Sequence, residues 1–203
     1  MFSGTQLTCI RGERLVFEDL GFSVEEGAAL YLTGANGSGK SSLLRVMAAL
    51  QRPAAGELCW NEADVWDDIP AHHDRTRYVG HADGVKPVLS IGENLAFWAA
   101  ISATRPEPAG HGVQTALSRV GLGELSDMPA RFLSAGQRRR LNLARLLASP
   151  ARLWLLDEPA AGLDEESAAV LESMIASHLA RGGMAVVATH DAVPAGARRL
   201  ELP

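Results

Sequence analysis

Sulfur and aromatic rings are scarce in this chain of 203 residues, which carries two cysteines and 5% aromatic residues. Cys9 and Cys59 lie far apart, with no C-x-x-C pair and no histidine-rich setting around them, so the pattern excludes a thiolate metal cluster or redox pair. Two reduced thiols are expected. No run approaches eighteen consecutive apolar residues, which excludes a membrane-spanning helix on sequence. The start, Met1 to Gln6, has no basic region ahead of an apolar one, so no secretory leader is expected. An excess of positive charge is also missing. The formal charge is −5, which argues against a broad nucleic-acid-binding face and leaves nucleic acid off the expected partners. No internal repeat is seen. What is present is a 47% hydrophobic content, enough at this length to bury a core of one compact domain.

Gly34-Ala35-Asn36-Gly37-Ser38-Gly39-Lys40-Ser41 satisfies G-x-x-x-x-G-K-[ST] in full. In such a loop the backbone N–H groups ring a nucleotide's phosphates, the lysine reaches the β and γ oxygens, and the serine hydroxyl holds Mg²⁺. The context fits. Ala29 to Thr33 is a short apolar run of buried-strand type, and Ser42 to Leu50 has helical spacing. The loop therefore leads into a helix N-terminus, where unpaired N–H groups and the helix dipole favour an anion.

Strand-like and helix-like segments then alternate, as in an α/β fold. A strand at residues 77–80 precedes His81, and helices are expected over Ile91 to Ile101, Gly112 to Val120 and Ser134 to Ala148. Arg152 to Pro159 reads as an apolar strand ending in two carboxylates. A helix capped by Asp164 follows, with an apolar face of Val170, Leu171, Met174, Ile175 and His178/Leu179. Met184 to Thr189 is read as the last buried strand, ending at His190. Gln6 to Val24 reads as antiparallel strands around a Gly12-Glu13 turn, and residues 102–110 as a flexible loop. At helical spacing, Ile91, Leu95 and Trp98 share one stripe, while Phe97 and Ile101 form another. Arg138, Arg139 and Arg140, successive on a helix, point in three directions and read as a solvated or salt-bridged face.

Asp157 and Glu158 end the strand that follows the helical middle. An aspartate at the tip of a buried strand beside a phosphate loop is placed to help hold Mg²⁺ through water. Glu158, one residue on, would orient the attacking water and take its proton.

Taken together, these segments resemble the ATP-binding cassette (ABC) ATPase family over nearly the whole chain. Residues 34–41 match its Walker A loop, Leu133-Ser134-Ala135-Gly136-Gln137 its signature, 153–158 its Walker B strand, Gly162-Leu163-Asp164 its D-loop, and His190 its switch histidine. The resemblance implies a P-loop NTPase with a RecA-like parallel sheet core, an N-terminal antiparallel β subdomain and an inserted α-helical subdomain. Residues 1–81 and 150–203 would form the core, and about 82–149 the helical signature subdomain. It implies Mg²⁺ as cofactor and ATP contacts from Gly34, Ala35, Asn36, Gly37, Ser38, Gly39, Lys40, Ser41 and Ser42. Catalysis would fall to Glu158, His190 and Lys40, and metal binding to Ser41, Asp157 and, through water, His81. It also implies a head-to-tail homodimer, in which Ser134, Ala135, Gly136 and Gln137 act in trans on the partner's nucleotide beside the D-loop Asp164.

Three positions depart from the usual family pattern. Ala135 replaces a second glycine, Arg11 falls where an aromatic residue commonly stacks on adenine, and His81 replaces a glutamine. A guanidinium can also lie flat on a base, so Arg11 is expected to take that place. With the run Tyr78 to Lys86, the Arg11-to-Arg14 turn, Leu133 to Leu141 and the short chain, these departures resemble the ATP-binding subunits of bacterial cytochrome c maturation, traditionally described as haem exporters. That resemblance implies a peripheral subunit on the cytoplasmic face of the inner membrane, working with integral membrane permease subunits. Two alternatives stand beside it: an ABC ATPase serving another transported substrate, and a soluble ABC ATPase.

Overall fold

A computed structural model describes residues 1–101, 111–190 and 192–202; the loop expected at 102–110 lies outside the described residues. The described residues fall into two compact units. The first comprises Met1–Gly80, Arg152–Pro159 and Ser177–Pro203, and the second His81–Ala151 and Ala160–Ala176.

The first unit holds two sheets. Strands β1 (Phe2–Arg11), β2 (Arg14–Val24), β4 (Ala55–Trp60) and β5 (Ala63–Asp64) make an antiparallel sheet in the order β2-β1-β4-β5. Its first two strands are joined through the expected Gly12-Glu13 turn, and their register shifts three times where the ladder is bulged. Strands β3 (Ala29–Thr33), β6 (Thr76–Val79), β7 (Leu153–Asp157), β8 (Met184–Ala188) and β9 (Arg198–Glu201) make a parallel sheet in the order β6-β7-β8-β3-β9. Every residue of β7 and β8 is buried, as expected of central strands covered on both faces. Helix α1 (Lys40–Met47) contributes Leu43, Leu44, Val46 and Met47 to one core. Phe2, Leu7 and Phe17 of the antiparallel sheet enter it, as do Leu32, Leu155 and Val186 of the parallel one.

Helix α2 (Ile69–Arg75) and strands β4, β5 and β9 add to the expected elements; β9 follows Met184 to Thr189 in the chain but is mostly exposed, so β8 is the last buried strand. Asp68 caps α2, its Oδ1 accepting from the Ala71 N–H at 3.0 Å. Cys9 is buried, Cys59 is partly covered, and both thiols are free. Burial raises the pKa of each, so neither is an activated thiolate.

The second unit is helical: α3 (Ile91–Ile101), α4 (His111–Arg119), α5 (Ala135–Ala148) and most of α6 (Glu165–Ala180). Ser90 and Glu93 form a reciprocal box at the start of α3: the Ser90 N–H donates to Glu93 Oε2 at 2.7 Å and the Glu93 N–H to Ser90 Oγ at 3.1 Å. Ile91 and Leu95 are fully buried, whereas Phe97 and Ile101 stay 41% and 62% exposed, so the two stripes on α3 separate. The three arginines on α5 do diverge, and their surroundings differ: Arg138 is exposed and Arg140 half-buried. Arg139 is buried, Arg138 donates to the Leu133 carbonyl at 3.1 Å, and Arg140 to that of Val120 at 3.0 Å.

Candidate functional site

Register decides what meets at the carboxyl edge of the parallel sheet. Asp157 pairs with Ala188 and Ala188 with Leu32, so the chains leaving β7, β8 and β3 emerge from one row. The Glu158 N–H donates to the Ala188 carbonyl at 3.0 Å, and the Thr189 N–H to that of Leu32 at 3.1 Å. Gly34, Glu158 and His190 thereby leave the sheet on the side where open α/β sheets bind ligands.

From β3 the chain turns through the phosphate loop. Gly34, Gly37 and Gly39 have φ of 132°, 85° and 104°, a region that L side chains avoid. At Gly34 a Cβ would also lie 2.5 Å from the Leu202 carbonyl oxygen. Lys40 is the first residue of α1 and is buried, its Nζ donating to the carbonyls of Gly34 at 2.6 Å and Ala35 at 3.0 Å. These bonds curl the loop around the ammonium, which has a third N–H left to offer. Ser38 is buried and its Oγ has no partner among the described residues, leaving a hydroxyl suited to a phosphate oxygen.

Ser41 donates through Oγ to Asp157 Oδ1 at 3.0 Å, joining residues 116 apart in sequence. Asp157 is 3% exposed. Its Oδ2 accepts from the Tyr78 hydroxyl at 3.4 Å, and Tyr78 is also hydrogen-bonded to the Arg45 side chain. Burial, followed by the neighbouring Asp157 charge, raises the Tyr78 pKa, keeping the hydroxyl a donor. The donor set suits Mg²⁺: a hydroxyl and a carboxylate are hard oxygen ligands, and this ion is bound by one or two protein oxygens plus phosphates and water. No cluster of three metal-binding side chains occurs among the described residues. Glu158 has φ of 50°, and its Oε2 lies 2.5 Å from His190 Nδ1. The imidazole is more than half exposed and the carboxylate largely covered.

In the second unit Ser134 caps α5. The Gln137 N–H donates to Ser134 Oγ at 3.2 Å, and the Ser134 N–H to Gln137 Oε1 at 2.9 Å. This box leaves the N–H groups of Ala135 and Gly136 as orphan donors of the first turn. The Ser134 oxygen accepts, so its own O–H also remains to be donated. Asp164 caps α6, accepting from the Ser167 N–H at 2.8 Å, and bonding to Ser167 holds its carboxyl below the ordinary range. His81 is exposed, the first residue of the second unit. Arg11 is exposed at the end of β1 and joins none of these bonded pairs among the described residues.

Sequence reasoning passed over Tyr78 and Arg45 as members of this site. Tyr78 stood inside a short strand of mixed polarity and Arg45 on the polar face of a helix, and only the β6–β7 pairing turns the tyrosine hydroxyl onto Asp157.

A family profile described as ABC transporter matches residues 17–161. A protein of Paramagnetospirillum magneticum named "Cytochrome c biogenesis ATP-binding export protein CcmA" is 55% identical, over 99% of this chain and 93% of that protein. A protein of the same name from Rhodospirillum rubrum is 53% identical over 94% of this chain and 80% of its own length. Among solved structures, an ATP-binding cassette dimer in a post-hydrolysis state with ADP and Pi superposes with a TM-score of 0.83. It shares 23% identity and covers 94% of this chain and 88% of its own, a likeness of fold.

Proposed function

The chain belongs to the ABC transporter ATP-binding family, and from that premise we propose that it is the ATP-hydrolysing subunit of an inner-membrane complex for cytochrome c biogenesis. The work done would be haem export, or release of the haem-loaded periplasmic chaperone. Similarity over nearly the full chain to relatives named for that process supports the reading. The observation that carries the chemistry is the gathering of Lys40, Ser41, Asp157, Glu158 and His190 at one sheet edge.

In this reading the loop N–H groups, Ser38 Oγ, Ser42 and Lys40 Nζ grip the phosphates of ATP. Arg11 lies against the base. Ser41 and Asp157 would hold Mg²⁺, the aspartate through water, and the ion would supply positive charge to offset that of the phosphates. Glu158 accepts a proton from water as the water oxygen bonds to the γ-phosphorus and the bond to the β–γ bridging oxygen breaks, giving ADP and phosphate. His190 Nδ1 holds the Glu158 carboxylate in place. From a second copy, Ser134 Oγ and the N–H groups of Ala135 and Gly136 close on the γ-phosphate, with Gln137 fixing their helix cap and Asp164 flanking them.

Closure of such a homodimer is handed to integral membrane permease subunits, with this chain peripheral on the cytoplasmic face. Among the described residues no helix is long and apolar enough to cross a membrane. The exposed stripe of Phe97 and Ile101 on α3 is the surface offered to a permease helix.

Glu158→Gln tests both levels, since it removes the base and keeps the phosphate contacts. ATP turnover should fall by at least about 10²-fold while nucleotide binding persists. Placed on the chromosome, the same change should abolish c-type cytochromes, spare b-type haem proteins and leave haem on its periplasmic chaperone. Near-normal hydrolysis would overturn the base assignment. Normal c-type cytochromes on haem-stained gels would overturn the biogenesis role and leave the ATPase standing.

A further inference from the structure

Both oxygens of Asp157 accept hydrogen bonds, and the two donors come from different elements. Ser41 on α1 donates to Oδ1 at 3.0 Å, while Tyr78 on β6 donates to Oδ2 at 3.4 Å. Behind Tyr78 stands Arg45, one helical turn beyond Ser41, so both ends of the arrangement are fixed to the helix that follows the phosphate loop. The tyrosine has little freedom. Its strand is paired residue for residue with β7, Tyr78 opposite Leu155 and Val79 opposite Leu156. Its ring also lies so close to Gly80 that a Cβ there would come within 3.1 Å of Cε1 and the hydroxyl oxygen.

We propose that Tyr78 is a positioning residue for the reaction, holding Asp157 Oδ2 so that the carboxylate faces Mg²⁺ in one orientation. This rests on the reading of Asp157 as a metal-holding aspartate. A carboxylate with a single anchored oxygen can rotate about its Cβ–Cγ bond. A donor on the second oxygen restricts that freedom before the nucleotide arrives. Ligating carboxylates characteristically carry such outer hydrogen bonds, whose loss weakens metal binding about 10- to 100-fold. The 3.4 Å separation puts Tyr78 at the lower end of that range.

The test is equilibrium binding of a fluorescent ATP analogue to the full chain, with EDTA and then with Mg²⁺, for wild type, Tyr78→Phe, Gly80→Ala and Asp157→Asn. Tyr78→Phe deletes only the hydroxyl. It should cut the Mg²⁺-dependent gain in affinity about 10-fold and leave binding in EDTA and thermal unfolding unchanged. Gly80→Ala keeps the hydroxyl but crowds the ring, and should lower the same gain by a smaller factor. A Tyr78→Phe protein with the wild-type gain, beside an Asp157→Asn protein that has lost it, would overturn the role of Tyr78 and leave the metal site intact. An undiminished gain in Asp157→Asn would overturn the metal reading and this inference with it. Equal loss with and without Mg²⁺ would reduce Tyr78 to packing and overturn the inference as well.

Discussion

The phosphate loop and the Leu133–Gln137 segment are both small-residue turns into a helix N-terminus, yet they differ in where their demands are met. Within the first, the chain itself requires each special residue. Gly34 is closed in by the Leu202 carbonyl and by its φ, Lys40 is held by two loop carbonyls, and Ser41 is bonded to Asp157. In the second, Gly136 has no such requirement: a Cβ there would meet nothing closer than the Gly162 carbonyl oxygen at 3.7 Å, an ordinary contact. Ser134 and Ala135 are exposed, and two N–H groups of the first turn point outward. A loop that is complete by itself forms half of a site. A segment whose glycine meets no steric demand in its own chain, and whose cap leaves two first-turn N–H groups unspent, is suited to another molecule, and the proposed second copy is the partner this comparison favours.

The sharpest way to break that contrast is complementation. Lys40→Ala disables a chain's own phosphate loop, and Ser134→Arg places a bulky cation where the partner's nucleotide would sit, so each variant alone should be inactive. Mixed, they pair one intact loop with one intact signature segment. ATPase activity should return from near zero to as much as one working site per heterodimer. Two inactive variants that stay inactive at every mixing ratio, although each still folds, would refute a site shared between copies.

The same contrast explains what was legible in the sequence. Gly34 to Ser41 announces its chemistry because the backbone needs those glycines, and α3 was readable over Ile91–Ile101 because one stripe is buried and one is not. Strand β9, with Arg198 and Arg199 side by side, carries no apolar pattern; it is a strand because its backbone pairs with β3. Helix α2 is only seven residues long, too short for periodicity to speak, although the Asp68-Ile69-Pro70 start was a usable signal. Burial of Arg139 and the bond from Tyr78 to Asp157 depend on which elements become neighbours, and no local pattern encodes that.

A paired glycine-to-alanine experiment sharpens the comparison at lower amplitude. Gly34→Ala forces a side chain into a φ of 132° and against the Leu202 carbonyl, and should destabilise the isolated chain by about 1–3 kcal/mol while impairing nucleotide binding. Gly136→Ala lies within α5, where alanine is the better helix former, so the isolated chain should be unharmed or slightly more stable. Its defect should appear only in assembly-dependent ATPase activity. Denaturant unfolding and nucleotide titration of both variants make the check, and equal destabilisation by the two changes would erase the distinction.

The smallest expected effect lies at the far end of the phosphate-loop helix, which is also anchored from within. His72 Nε2 bonds to the Met47 carbonyl at 2.8 Å and His73 Nε2 to that of Ala48 at 3.1 Å, capping the last turn of α1. His72 is fully buried against Phe2 and Trp60, near Thr76 and with the Arg75 guanidinium and the His73 ring close by, and burial chiefly lowers its pKa to about 4. Its Nδ1 has no partner among the described residues, so a proton placed there would meet no acceptor. The folded state therefore keeps His72 neutral while the unfolded state, with a pKa near 6.5, takes up a proton as pH falls. Stability from this residue is complete above about pH 6.5 and is lost progressively down to about pH 4, amounting to about 1 kcal/mol between pH 7.5 and 5.5 at 1.36 kcal/mol per pKa unit. Denaturant unfolding at the two pH values, together with NMR titration of the His72 ring, measures it. A ring that titrates near pH 6.5 in the folded protein would show that this end of α1 is open to solvent, and the self-sufficiency of the phosphate-loop region would then stop at Lys40 and Ser41.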